Sequence, residues 1–108
     1  MGFEIIPTPF FLKDVKPLVK KYPSLKSELI QLENNLIEKP SMGEPLGKDC
    51  YKIRLSIASK GKGKSGGARV ITCVKIIDER IFLMAIYDKS EMENIDVNIL
   101  KERLNRLK

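Results

Sequence analysis

A chain of 108 residues with 43% hydrophobic and 31% charged side chains is long enough for one core and too apolar to be disordered, so the expectation is a single domain over residues 1–108. The absence of histidine excludes imidazole acid/base catalysis, Ser-His and Cys-His nucleophile pairs, and the common zinc sites with imidazole ligands. No apolar run approaches the ~20 residues of a membrane helix. The stretch MGFEIIPTPF lacks a basic region followed by a long apolar one, so a cytoplasmic protein is expected, with Cys50 and Cys73 reduced.

In chain order, Phe3 to Ile6 reads as a brief first strand stopped by Pro7. Thr8 and Pro9 suit the cap and first position of a helix, and Phe11, Val15, Leu18 and Tyr22 form a helical stripe in which Pro17 threatens a kink. Ser24 is a plausible cap for a second helix, whose stripe is Leu25, Leu29, Leu32 and Leu36. Together these predict a helical hairpin lying on a sheet. Residues 40–47, with Pro40, Gly43, Pro45 and Gly47, predict a loop.

Strands follow. Tyr51, Ile53, Leu55 and Ile57 alternate with Lys52, Arg54, Ser56 and Ala58, giving one apolar face and one that begins basic. After a loop over 59–67, residues 69–77 are rich in Val, Ile and Thr, Asp78 and Glu79 make a hairpin turn, and residues 80–87 form the last strand of a meander. Ile95, Ile99, Leu100, Leu104 and Leu107 mark a closing helix. The order β-α-α-β-β-β-α predicts an α+β fold: an antiparallel sheet of about four strands, helices mainly on one side.

Charge singles out one segment. Residues 1–47 hold six basic against six acidic side chains and residues 70–108 seven against seven, whereas residues 48–69 hold seven against one. Lys48, Lys52, Arg54, Lys60, Lys62, Lys64 and Arg69 therefore carry the whole formal charge of +6, the kind of concentrated field that attracts a polyphosphate strand. Residues 58–65, ASKGKGKS, fit a relaxed phosphate-loop pattern. That motif needs a helix to begin at its Lys-Ser, and here a β-branched strand follows, so it is set aside. A basic strand beside a basic loop suits an RNA backbone instead, with Tyr87 the better placed of the two nearby aromatics for stacking.

Tyr51-Lys-Ile-Arg-Leu, the loop Ser59-Lys-Gly-Lys-Gly-Lys-Ser-Gly-Gly-Ala-Arg69 and the strand end Ile86-Tyr87-Asp88-Lys89-Ser90-Glu91 resemble the RelE/ParE superfamily of bacterial toxins, especially its HigB-like branch. The resemblance implies a toxin of a type II toxin-antitoxin module, acting as a ribosome-dependent mRNA endonuclease (an mRNA interferase) with no metal or other cofactor. It further implies a cognate antitoxin, and the ribosome and mRNA, as partners, and no membrane.

By the same resemblance Lys52 stands as base candidate and Arg69 as phosphate stabiliser, with Arg54 and Lys89 as phosphate contacts or acid. Lys48, Lys60, Lys62 and Lys64 are expected to bind RNA. Attack by a ribose 2′-hydroxyl needs a base, charge stabilisation at the phosphate and an acid for the leaving oxygen. Clustered cations disfavour an ammonium form and so ready a lysine for the first task. RelE-type enzymes carry a tyrosine beyond the last basic position, where this chain has Glu93, Asn94 and Ile95; Tyr87 or Lys89 is the substitute, and Glu91 and Glu93 are candidates for holding the cations in place. The alternatives are a ParE-like DNA gyrase inhibitor and a non-catalytic RNA-binding domain of the same fold.

Overall fold

In the computed structural model, which describes residues 2–60 and 67–107 and excludes the side chain of Lys60, the elements are β1 (Glu4–Pro7), α1 (Pro9–Lys21), α2 (Leu25–Glu38), β2 (Glu44–Gly47), β3 (Cys50–Leu55), a 3-10 turn (Ala58–Lys60), β4 (Ala68–Lys75), β5 (Arg80–Asp88) and α3 (Val97–Arg106). They form one five-stranded sheet in the order β1-β5-β4-β3-β2. β1 runs parallel to β5, and every other pairing is antiparallel. The α+β class is as expected.

The extra strand is β2, inside the segment read as a loop. Its prolines and glycines misled because a sheet edge tolerates them: Pro45 pairs with Tyr51 on the outermost strand, where no further ladder needs its missing N–H. The hairpin from β2 to β3 turns on Lys48 and Asp49, at φ of 54° and 62°, two residues in the left-handed region as a tight two-residue hairpin requires.

Pro17 lies inside α1 without ending it, since Phe11 and Leu18 are buried on either side of it and hold the helix to the sheet. Thr8 caps α1 by accepting from the Phe11 amide at 3.3 Å, and its hydroxyl also donates to the Leu83 carbonyl at 2.8 Å. Ser24, expected as a cap, makes no capping bond. Its hydroxyl serves Glu28 and Ser59 instead, and Glu28 accepts from the Ala58 amide at 2.7 Å, so the start of α2 anchors the beginning of the basic loop. Strand β4 stops at Lys75, not Ile77: Ile76 and Ile77 are exposed in the turn to β5, where Glu79 takes φ 52°.

The helices divide between the faces, which corrects the expectation of helices mainly on one side. Phe11, Leu18, Leu25, Leu32 and Leu36 of α1 and α2 pack on Ile53, Val70, Val74, Ile81 and Leu83. Leu100, Leu104 and Leu107 rest on the reverse face, against Ile71, Cys73, Met84 and Ala85. Asp96 caps α3 by accepting from the Asn98 amide at 2.8 Å. β1 pairing ends at Leu83, and just past it Arg103 of α3 donates to the Met84 carbonyl at 3.0 Å and to Asp14 of α1 at 2.8 Å, fastening α3 around the edge of β5.

Candidate functional site

Alternation along each strand decides which face the cations take. On β3, Ile53 enters the core beneath α1 and α2, so Lys52 and Arg54 project from the other face. Ala68 and Val70 of β4 belong to that same core, which puts Arg69 beside Lys52 and Arg54, and Tyr87 of β5 lies in the reverse-face cluster. The register completes the arrangement: Arg54 is directly opposite Arg69, Arg69 is opposite Tyr87, and Lys52 is one step along, opposite Ile71.

The Arg54–Arg69 pair is also a close one. The Val74 amide donates to the Asp49 carbonyl, so the ladder bonds flank Cys50 and Cys73, and counting along the unbroken register places Arg54 and Arg69 in the same narrow class of pair. Two like charges set opposite each other in a narrow pair destabilise a sheet. A fold retains such an arrangement where the charges serve something other than stability.

The members differ in exposure. Arg54 is exposed. Arg69 is 4% exposed and its Nη1 donates to the Ala68 carbonyl at 3.1 Å, so it lies in the floor of the site. The Lys52 ammonium is partly covered, donating to Asn94 Oδ1 at 3.1 Å and lying 3.6 Å from the Glu44 carboxylate on the neighbouring strand. Lys89, just past β5 and half-buried, is 3.8 Å from the exposed Glu93, an i,i+4 pair of small energetic weight. Glu93 thus holds a cation, as the sequence suggested, and its neighbour Asn94 holds another.

The Tyr87 hydroxyl is buried and finds no hydrogen-bond partner among the described residues. Burial pushes its pKa above the usual tyrosine range, against the pull of the Ile95 backbone and the Arg69 charge, so the phenol stays protonated. A small cavity of about 210 Å³ lies between Tyr87, Lys52, Asn94, Ile95 and Leu100.

Of the remaining expected residues, Lys48 lies at the other end of β3, lining a cleft with Cys73, Lys75 and Lys101, away from Arg54 and Arg69. The Lys60 side chain, Lys62 and Lys64 lie outside the described residues. The path of the chain does return to the site: a Cβ on Gly67 would collide with the Leu55 carbonyl, so glycine lets β4 restart close against the end of β3. Asn94 and Glu44, the two groups that hold Lys52, were not foreseen. Asn94 is 42 residues away in sequence and carries no local signal, whereas Glu44 would have been legible had the edge strand been recognised.

A family model described as the RelE toxin of the RelE/RelB toxin-antitoxin system matches residues 16–106. Among solved structures, a mutant of the E. coli toxin RelE in the free state is similar over the whole of both chains, at 18% identity and a TM-score of 0.64. The isolated E. coli RelE toxin is similar over the same extent at 19% and 0.62. A metal-bound toxin from Helicobacter pylori aligns over 85% of this chain and 99% of its own, at 23% identity and a TM-score of 0.52. At these identities the structures establish a shared fold.

Proposed function

Because the chain belongs to the RelE family of toxins from toxin-antitoxin systems, we propose that it is an endoribonuclease that cuts mRNA on the ribosome and is held inactive by a partner antitoxin. The observation that carries this reading is the shared face: Lys52, Arg54, Arg69 and Tyr87 project from three adjacent strands toward one place.

In the proposed reaction the ribose 2′-hydroxyl attacks the adjacent phosphorus. The bond from phosphorus to the 2′-oxygen forms, the bond to the 5′-oxygen breaks, and the products are a cyclic 2′,3′-phosphate and a 5′-hydroxyl end. Lys52, once its ammonium has released a proton to solvent, receives the 2′-hydroxyl proton, with Asn94 orienting its amine, while the substrate displaces the well-exposed Glu44. Arg54, at the surface, contacts the phosphate directly, and Arg69 adds positive potential from the sheet floor. Tyr87, held protonated by burial, is the acid that replaces the family's later tyrosine, at the position where this chain has Ile95 packed against the same cluster. Lys89 is the alternative donor, and Lys60, Lys62 and Lys64 add attraction for the RNA backbone.

The burial of Arg69 favours one second reading, an RNA-binding domain of the same fold without chemistry. Inducing the chain in a bacterium and mapping RNA 5′ ends separates the readings. Codon-phased cuts that disappear in Lys52→Ala and Arg54→Ala support the nuclease. Normal growth supports the binding domain, and stalled replication over intact mRNA supports a ParE-like inhibitor of gyrase. The concentrated positive charge calls for an acidic antitoxin, ordered on binding, and the complex is proposed to act in the cytoplasm.

A further inference from the structure

Cys50 and Cys73 sit directly opposite each other on β3 and β4, and both are buried. The Val74 amide bonds the Asp49 carbonyl at 2.9 Å, so the ladder bonds flank this pair and do not join it. Such a narrow pair brings its Cα atoms to about 4.5 Å. That lies within the roughly 4.4–6.8 Å span over which a disulfide closes without backbone movement. We propose that Cys50 and Cys73 form a reversible thiol–disulfide pair, oxidised by hydrogen peroxide, which ties the foot of the β3–β4 hairpin.

The two thiols have different parts. Cys73, at 5% exposure against 1% for Cys50, lines the clefts that hold Lys48, Lys75 and Lys101, so it is the thiol nearer to solvent. The neighbouring Cys50 thiol and then Lys75 lower the Cys73 pKa against the effect of burial, while Cys50, whose Sγ donates to the Lys48 carbonyl at 3.6 Å, is held protonated by the neighbouring Cys73 and by burial. Cys73 is therefore the nucleophile. Its thiolate attacks one peroxide oxygen, the O–O bond breaks, and one water leaves after protonation. Cys50 then attacks the resulting sulfenic sulfur; the S–S bond forms, the S–O bond breaks, and a second water leaves. Two thiols supply two electrons and peroxide accepts both, so the step balances without another reactant.

The closed loop contains every residue from Tyr51 to Thr72, including Lys52, Arg54 and Arg69. Oxidation therefore fixes the register of the hairpin that carries the cationic site and constrains the unfolded chain. Leu104 and Leu107 pack in the same cluster, so the bond forms beneath the end of α3.

The test is to treat the reduced full-length chain with hydrogen peroxide, then count alkylatable thiols by intact mass and map peptides. The proposal expects both thiols to be lost together, a mass loss of two hydrogen atoms, a cross-link between residues 50 and 73 within one chain, and recovery with dithiothreitol. In Cys50→Ser, Cys73 should stop at a sulfenic acid trapped by a cyclic dione. In Cys73→Ser, Cys50 should react at least roughly tenfold more slowly, as a buried protonated thiol does. Oxidation of Cys73 to sulfinic acid with Cys50 still alkylatable in the wild-type chain would overturn the proposal, as would a cross-link formed only between chains. Since the wild-type result decides by itself, a serine variant that fails to fold does not rescue the idea.

Discussion

Under the helical hairpin the sheet presents Ile53, Val70, Val74, Ile81 and Leu83, all buried against two helices that bury five apolar residues, with Tyr22, just past α1, buried beside them. On the reverse, the same strands present Lys52, Arg54, Arg69 and Tyr87, and the helix there buries no residue of its own. Period-two alternation lets one strand serve both: each residue of β3 that strengthens the core is followed by one that is unfavourable for it. The first face holds the fold together. The second carries like charges in register and a buried phenol, features that weaken a fold.

That division is open to breaking by mutation. Leu36→Ala removes a fully buried side chain from the first face and should lower unfolding free energy by about 2–5 kcal/mol, read by denaturant titration. Lys52→Ala on the second face should leave the denaturation midpoint nearly unchanged while cleavage falls by about 10²–10⁴-fold, the range for losing a positioned base. Equal stability losses in the two would end the distinction.

Arg103→Ala tests how α3 is held. It strips partners from Asp14 and from the Met84 carbonyl, and should cost about 1.5–3 kcal/mol, with faster amide exchange in residues 97–106 than in α2. The smallest effect is the most discriminating. Arg54→Ala relieves the narrow like-charge pair with Arg69, so the chain should gain about 0.2–1 kcal/mol while cleavage declines. A loss of stability there would mean that the arginines are supported in a way the sheet register does not capture.

What was legible in the sequence follows the range of the signal. The alternation from Tyr51 to Ile57 assigned Lys52 and Arg54 to one face because strand periodicity is local, and the leucine stripe from Leu25 to Leu36 located α2 for the same reason. Pro45 and Gly47 concealed β2, since residues that break a central strand are harmless at an edge. Ile76 and Ile77 read as strand but face solvent, because β-branched composition does not say where a hairpin turns.

Contacts between distant segments were beyond reach. The parallel docking of β1 on β5, the bond from Lys52 to Asn94, the placement of α3 on the cationic face and the burial of Arg69 all join residues whose sequences carry no mark of one another. Family resemblance supplied roles for the cations, and the register then showed Lys52, Arg54 and Arg69 on one face with Lys48 at the far end.

The most direct measurement is primer extension on a defined mRNA held in programmed ribosomes, with purified wild-type, Lys52→Ala and Arg54→Ala chains of verified fold. The account predicts discrete cuts at the ribosomal A site that leave cyclic 2′,3′-phosphate ends, strongly reduced in both variants. Wild-type chain that leaves the message intact, or variants that cut as fast as wild type, would contradict it.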